Sequence, residues 1–136
     1  MKKDQIMKTA STESAIQFEE GLIGFYDCKS FLLIEREEIA PFRWLQSTDR
    51  PDIGFLVIDA SLVLSDYRNI IPQREWESLG LKDGTSGMVY VTCMVGATTA
   101  ESTGNLQAPL LVNCQTGVGK QVILTETGLT SRHPLL

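Results

Sequence analysis

The run Met88-Val89-Tyr90-Val91-Thr92-Cys93-Met94-Val95 constrains this chain more than any other segment. It is β-branched and apolar on both parities, so a strand formed here is apolar whichever way its side chains alternate and must be covered on both faces. Residues 88–96 are therefore expected to form a central strand. Shorter runs rich in Val, Ile, Leu and Phe at residues 31–35, 42–47, 53–59, 67–71, 107–113 and 120–125 read as further strands, because Gly, Pro, Asp and Asn break them at the intervals typical of all-β domains. One segment carries helix signals instead: Pro72 suits a first helical position, Glu75 and Glu77 suit the first turns, and Gly80 suits a stop. That predicts a helix of about two turns with Trp76 and Leu79 facing inward. The expected fold class is mainly β, an antiparallel barrel-like or sandwich sheet with one or two short helices.

With 136 residues the chain is expected to form one core without staples. Residues 1–14 are polar and unpatterned, so residues 1–15 are expected to be a flexible N-terminal arm and residues 16–136 a single β domain, with order beginning near Ile16. No apolar stretch reaches the ~18 residues of a membrane span, and no signal-peptide core follows Met1-Lys2-Lys3. A cytoplasmic location without membrane contact is the expectation. Cys28, Cys93 and Cys114 are odd in number and widely spaced, and are expected to be buried free thiols.

Chemistry is sparse. The single histidine, His133, lies near the end, so the chain has no His-Cys or His-His metal spacing and no partner for a Ser-His-Asp triad. Gly117-Val118-Gly119-Lys120 is followed by Gln121 rather than Ser or Thr, which makes it a hairpin turn and not a phosphate loop. Glu35, Glu37, Glu38, Asp49 and Asp52 fit solvated loops, with contact to a protein partner as the alternative. Trp44 and Trp76 lack flanking basic clusters and suit core or interface anchoring rather than base stacking. Neither a cofactor nor a metal is expected.

The formal net charge is −5, which disfavours direct nucleic-acid binding and favours a basic protein partner. Residues 84–136 hold only Glu101, Glu126, Lys120 and Arg132, so the C-terminal part is nearly uncharged, as interface cores tend to be. Its amides at the ends of apolar strands mark an expected partner-binding rim: Asn105, Leu106 and Gln107, with neighbouring Gln46, Ser47 and Gln121. Side-chain amides also close turns by bonding local backbone, which is the competing role for the same residues.

Several segments together resemble the FliW family across nearly the whole expected domain. Phe18-Glu19-Glu20-Gly21-Leu22-Ile23-Gly24-Phe25 is similar to the family's Phe-x-x-Gly-Leu-Pro-Gly-Phe, with Ile23 where Pro is usual. Pro41-Phe42-Arg43-Trp44-Leu45-Gln46-Ser47 and Ile53-Gly54-Phe55-Leu56-Val57-Ile58-Asp59 follow, with Ala60 where the family commonly has Pro. The most specific pair is Asn105-Leu106-Gln107-Ala108-Pro109-Leu110-Leu111-Val112-Asn113 with Gly119-Lys120-Gln121-Val122-Ile123-Leu124. Leu129-Thr130 departs from the pattern, since the family often has an aromatic residue there. The resemblance implies a flagellar assembly factor that catalyses nothing, antagonises the translational repressor CsrA and also binds flagellin, so that flagellin translation follows its export. Two other readings remain open at this point: a dedicated flagellin chaperone without a regulatory role, and a small β-barrel enzyme with an unrecognised carboxylate site.

Overall fold

The fold is that of a computed structural model, which describes residues 12–98, 101–125 and 128–135. The strands are β1 (Thr12–Phe18), β2 (Ser30–Glu35), β3 (Phe42–Ser47), β4 (Gly54–Asp59), β5 (Gly87–Met94), β6 (Thr103–Gly104), β7 (Leu110–Asn113), β8 (Val118–Gln121) and β9 (His133–Pro134). The helix α1 spans Gln73–Ser78. Strands β1 to β4 form an antiparallel meander, β4 pairs with β5, and β5 pairs with β7 and β7 with β8. A parallel pairing of β8 with β1, Gln17 opposite Val118, closes the sheet into a barrel of seven strands. Beyond the barrel, the end of β5 pairs with β6, which pairs with β9.

Strand alternation sorts the apolar residues into two cores. Ile16, Phe18, Phe31, Leu33, Leu45, Val57, Tyr90, Leu110 and Val112 fill the barrel, and Leu22 and Cys28 from the β1–β2 loop join them. Val89, Val91, Leu111 and Ile58 point outward and are covered by Tyr67, Ile71, Trp76, Leu79 and Leu81 from the long β4–β5 connection. β5 is thus buried from both sides, with Val89 and Val91 fully covered outside and Tyr90 inside, as its two apolar parities require. α1 begins directly after Pro72 and buries Trp76, with Leu79 buried just past its end.

The turn between β1 and β2 shows why Gly21 matters. Its φ is +71°, and a Cβ there would come within 2.6 Å of the Tyr26 backbone, so only glycine fits. The flanking aromatics anchor the loop on separate partners: Phe18 meets Phe31 edge-on at 5.5 Å and Phe25 meets Phe55 at 5.3 Å.

Several expectations are corrected. Residues 67–71 form no strand; Tyr67–Ile70 is a 3-10 turn, because Tyr67 and Ile71 are the buried pair at i and i+4 and local bonds such as Asn69 N–H to Asp66 O hold the turn. The strand expected at 120–125 keeps its ladder only to Gln121, although Val122 N–H still donates to Pro109 O at 3.0 Å and Leu124 N–H to Gln107 O at 2.7 Å. Order begins before Ile16: residues 12–15 belong to β1, where exposed side chains leave no apolar pattern and the backbone alone pairs with β2. Residues 1–11 of the expected arm lie outside the described residues. All three cysteines are free, but only Cys28 is buried; Cys93 is half-buried and Cys114, in the turn after β7, is exposed.

Candidate functional site

The barrel's outer surface is covered over β5, β7 and the Ile58 end of β4 but open over β2, β3 and the rest of β4. Its side chains there are apolar where an open face would ordinarily be polar. Register places Ile34, Trp44 and Leu56 in one row across the three strands and Phe42 beside Ile58 in the next. Leu32 lies opposite Gln46, which lies opposite Gly54. Trp44 retains 36% of its surface exposed. Its indole lies flat on the sheet because Gly54 has no side chain: a Cβ there would meet Trp44 Cζ2 at 2.3 Å. The indole Nε1–H donates to Gln46 Oε1 at 2.9 Å.

One end of this face deepens into a groove of about 650 Å³. Phe42 and Ile58 line it together with Pro41, Leu62, Val95 and Leu135. Leu62 is 62% exposed and Val95 66%, the kind of exposed apolar patch that marks an interaction site. Acids border it. Glu37 and Glu38 form the exposed 3-10 turn leading to Pro41, and Glu101 Oε1 accepts from Ala97 N–H at 3.2 Å in the groove wall.

The residues expected at a partner-binding rim all sit at the opposite end of the barrel, where β3 and β8 end and β7 begins. Most are engaged in local structure. Gln46 Nε2 donates to Ser47 O, Pro51 O and Ile53 O, each at 3.0 Å, and so holds the β3–β4 loop. Ser47 is 1% exposed, and its hydroxyl accepts from Arg50 N–H. Leu106 is fully buried and its carbonyl accepts from the Tyr67 hydroxyl. Asn105 Oδ1 accepts from Gln107 N–H, and Gln107 Nε2 donates to Leu129 O at 2.7 Å. Gln121 Oε1 accepts from Ile23 N–H at 2.8 Å while its Nε2 donates to Ala108 O at 3.1 Å. Gln121 and the 105–108 segment are thereby joined; Gln46 and Ser47 lie three strands away around the barrel. Gln46 alone of the six also belongs to the apolar face.

That face was missed in the sequence, although Phe31-Leu32-Leu33-Ile34 is apolar on both parities, the same signal that singled out β5. The expected anchoring roles of the tryptophans separate cleanly: Trp76 is core, with the Arg68 guanidinium 5.8 Å from its ring centroid, and Trp44 lies on the open face.

At the mouth opposite the rim, a cavity of about 140 Å³ is lined by Arg43, Glu35, Tyr90 and Cys114. Arg43 donates to the Tyr90 hydroxyl and pairs with Glu35 at 3.3 Å, while burial raises the Tyr90 pKa above its usual range. Asp49 accepts from the backbone N–H groups of Ser30 and Lys29, which hold its carboxyl below the ordinary 3.8. Burial pushes the Cys93 thiol up to about 12. Among the described residues, no three His, Cys, Asp or Glu side chains converge in a way that could hold a metal ion, and no helix is long and apolar enough to cross a membrane.

Comparison with known proteins gives a consistent result. The family model described as "FliW protein" matches residues 2–135. A flagellar assembly factor FliW of Caldanaerobacter subterraneus subsp. tengcongensis is 38% identical over 91% of this chain and 83% of its own. One of Leptospira interrogans serovar copenhageni is 40% identical over 83% of this chain and 76% of its own. A crystal structure of the flagellar assembly factor FliW superimposes with a TM-score of 0.81 at 34% identity, covering 90% of this chain and 85% of that one.

Proposed function

Because this chain belongs to the FliW family of flagellar assembly factors, we propose that it acts by binding proteins in the cytoplasm: it antagonises a CsrA-type RNA-binding repressor and also binds flagellin. Free flagellin occupies the protein and leaves the repressor on the flagellin message. Export of flagellin then frees the protein to engage the repressor and lift the block. In this reading it performs no catalysis.

The observation that carries the reading is the open apolar face of β2, β3 and β4, a surface suited to a macromolecule rather than to a small substrate. Charge adds direction. A repressor must present basic surface to RNA, and a chain of net charge −5 attracts such a partner while opposing RNA near the contact.

The test is capture by the purified protein of CsrA and of flagellin from the same organism, singly and together, followed by calorimetry across a salt series. Both partners should be captured, and affinity for CsrA should fall as salt rises, because the Debye length is only ~8 Å at physiological ionic strength. Capture of flagellin without CsrA would replace this reading by that of a dedicated chaperone. Capture of neither would remove it.

A further inference from the structure

We propose that the open face of β2, β3 and β4, continued by its groove, is the docking surface for an amphipathic helix whose apolar stripe is flanked by lysine or arginine. The inference rests on the reading of the protein as a binding factor, but not on which partners it binds.

The shape of the fold decides the mode of docking. β2 and β3 are paired on both edges, and β4 is paired with β3 throughout and with β5 along Val57–Asp59, where the groove lies, so no strand can be added beside the groove and contact there must come through side chains. The groove is lined by buried Ile58 and partly buried Phe42 together with exposed Leu62 and Val95, an apolar channel that can receive a row of side chains. The rows Phe42–Ile58 and Ile34–Trp44–Leu56 extend that apolar track across the sheet. A helix presenting residues at i, i+3, i+4 and i+7 supplies a stripe of this kind.

Charge selects the flanks. The outward positions of β1 to β4 carry a single charge, Glu13, opposite Ile34. Glu37 and Glu38 lie in the exposed turn that leads to Pro41, and Glu101 is bonded to Ala97 of the groove wall, so acids border the groove. Arg43 is turned away, engaged by Glu35 and Tyr90. Two such faces repel each other, which argues against a second copy of this chain; lysine or arginine beside the stripe is complementary.

The probes are three synthetic peptides of about 20 residues, long enough for a helix to form on binding: one with a leucine stripe flanked by lysine, one with the same stripe flanked by glutamate, and one rich in proline. Each is titrated into the full chain and into Trp44→Ser, Leu62→Ser and Val95→Ser, uncharged changes at exposed positions, with melting temperatures measured alongside. The lysine-flanked peptide should bind, the glutamate-flanked one at least tenfold more weakly, and each substitution should weaken the lysine-flanked peptide several-fold at unchanged melting temperature. Equal affinity for both stripes, preference for the proline-rich peptide, or binding unaffected by all three substitutions would overturn the proposal. So would a concentration-dependent dimer that the substitutions abolish, since the face would then be a self-interface. If the substitutions leave capture of CsrA and flagellin intact, the docking surface is refuted while the proposed function stands. If the unaltered chain captures neither protein yet binds the peptide through these residues, the reverse holds.

Discussion

Replacing Asn113 by Ala tests how the barrel is tied to the layer packed outside it. Asn113 is 2% exposed at the end of β7, and its Nδ2 donates at 2.8 Å to the carbonyl of Leu79, the residue just past the end of α1. Its Oδ1 accepts from Gln115 N–H at 2.9 Å and Thr116 N–H at 3.3 Å, which shapes the turn into β8. Alanine removes all three bonds. The Leu79 carbonyl loses its buried donor, worth about 1–3 kcal/mol, and the two turn amides, which water can reach, contribute roughly 0.5 kcal/mol each. The sum is about 2–4 kcal/mol, a large part of the stability of an ordinary domain. At roughly 3–5 °C per kcal/mol for a chain of this size, thermal denaturation followed by circular dichroism should show a melting temperature about 6–20 °C lower. Asn113→Asp gives the internal control, since it keeps an oxygen that accepts the two turn bonds but loses the donor and buries a charge against a carbonyl. Burial against the Leu79 carbonyl is expected to raise its carboxyl pKa by more than the two turn N–H groups lower it, in which case the folded protein binds the proton more readily than the unfolded one. The deficit of this variant should therefore shrink as pH falls through that raised pKa, where the protonated carboxyl again donates to Leu79. A melting temperature lowered by less than about 3 °C in Asn113→Ala, or a deficit in Asn113→Asp that does not shrink in acid, would refute the reasoning.

Three further outcomes are expected. Tyr67→Phe removes the hydroxyl that donates to Leu106 O from a fully buried ring and should cost about 1–3 kcal/mol in denaturant titration; an unchanged midpoint would mean that the bond contributes nothing. Asp49→Asn should lower the melting temperature at neutral pH, and the gap should close in acid: the folded carboxyl titrates below 3.8, so its stabilisation is present above that value and is lost as pH falls through the folded pKa. A gap constant with pH would show that the carboxylate charge is irrelevant. A thiol reagent at neutral pH should modify Cys114 promptly and spare Cys28, which is fully buried, and Cys93, whose thiol titrates near 12; rapid modification of more than one thiol in the native protein would contradict this burial.

Much of the barrel was legible because burial leaves a period in the sequence. The β3 boundaries expected at 42–47 match, and β5 emerges as the strand with two covered faces. Asn113, the last residue of the run expected at 107–113, closes the turn into β8 through its Oδ1. What escaped had no side-chain pattern. Residues 12–15 join β1 through backbone bonds with all four side chains exposed, and β6 and β9 are two residues each. At the rim the difficulty was chemical: an amide that closes a loop and one that meets a partner look the same in sequence, and Gln46, Gln107 and Gln121 prove to be bonded to backbone of their own chain. The open face escaped for the opposite reason, since an outward apolar residue reads as core until the covering layer is seen to stop at β4.

The parallel pairing of β1 with β8 bears on how the chain acquires its shape. It joins the first strand of the barrel to the last, so closure requires nearly the whole sequence to be present. During synthesis, β1 to β4 can pair as soon as each emerges, but β1 keeps an unpaired edge until Val118–Gln121 has left the ribosome. Contacts this far apart in sequence slow folding, because the loop must be closed before the pairing contributes. The nascent chain therefore passes through an open sheet whose inner apolar residues, Phe31, Leu33 and Leu45 among them, lack their final cover. By topology, pairing of the last barrel strand, rather than formation of the central one, is the step that closes the barrel.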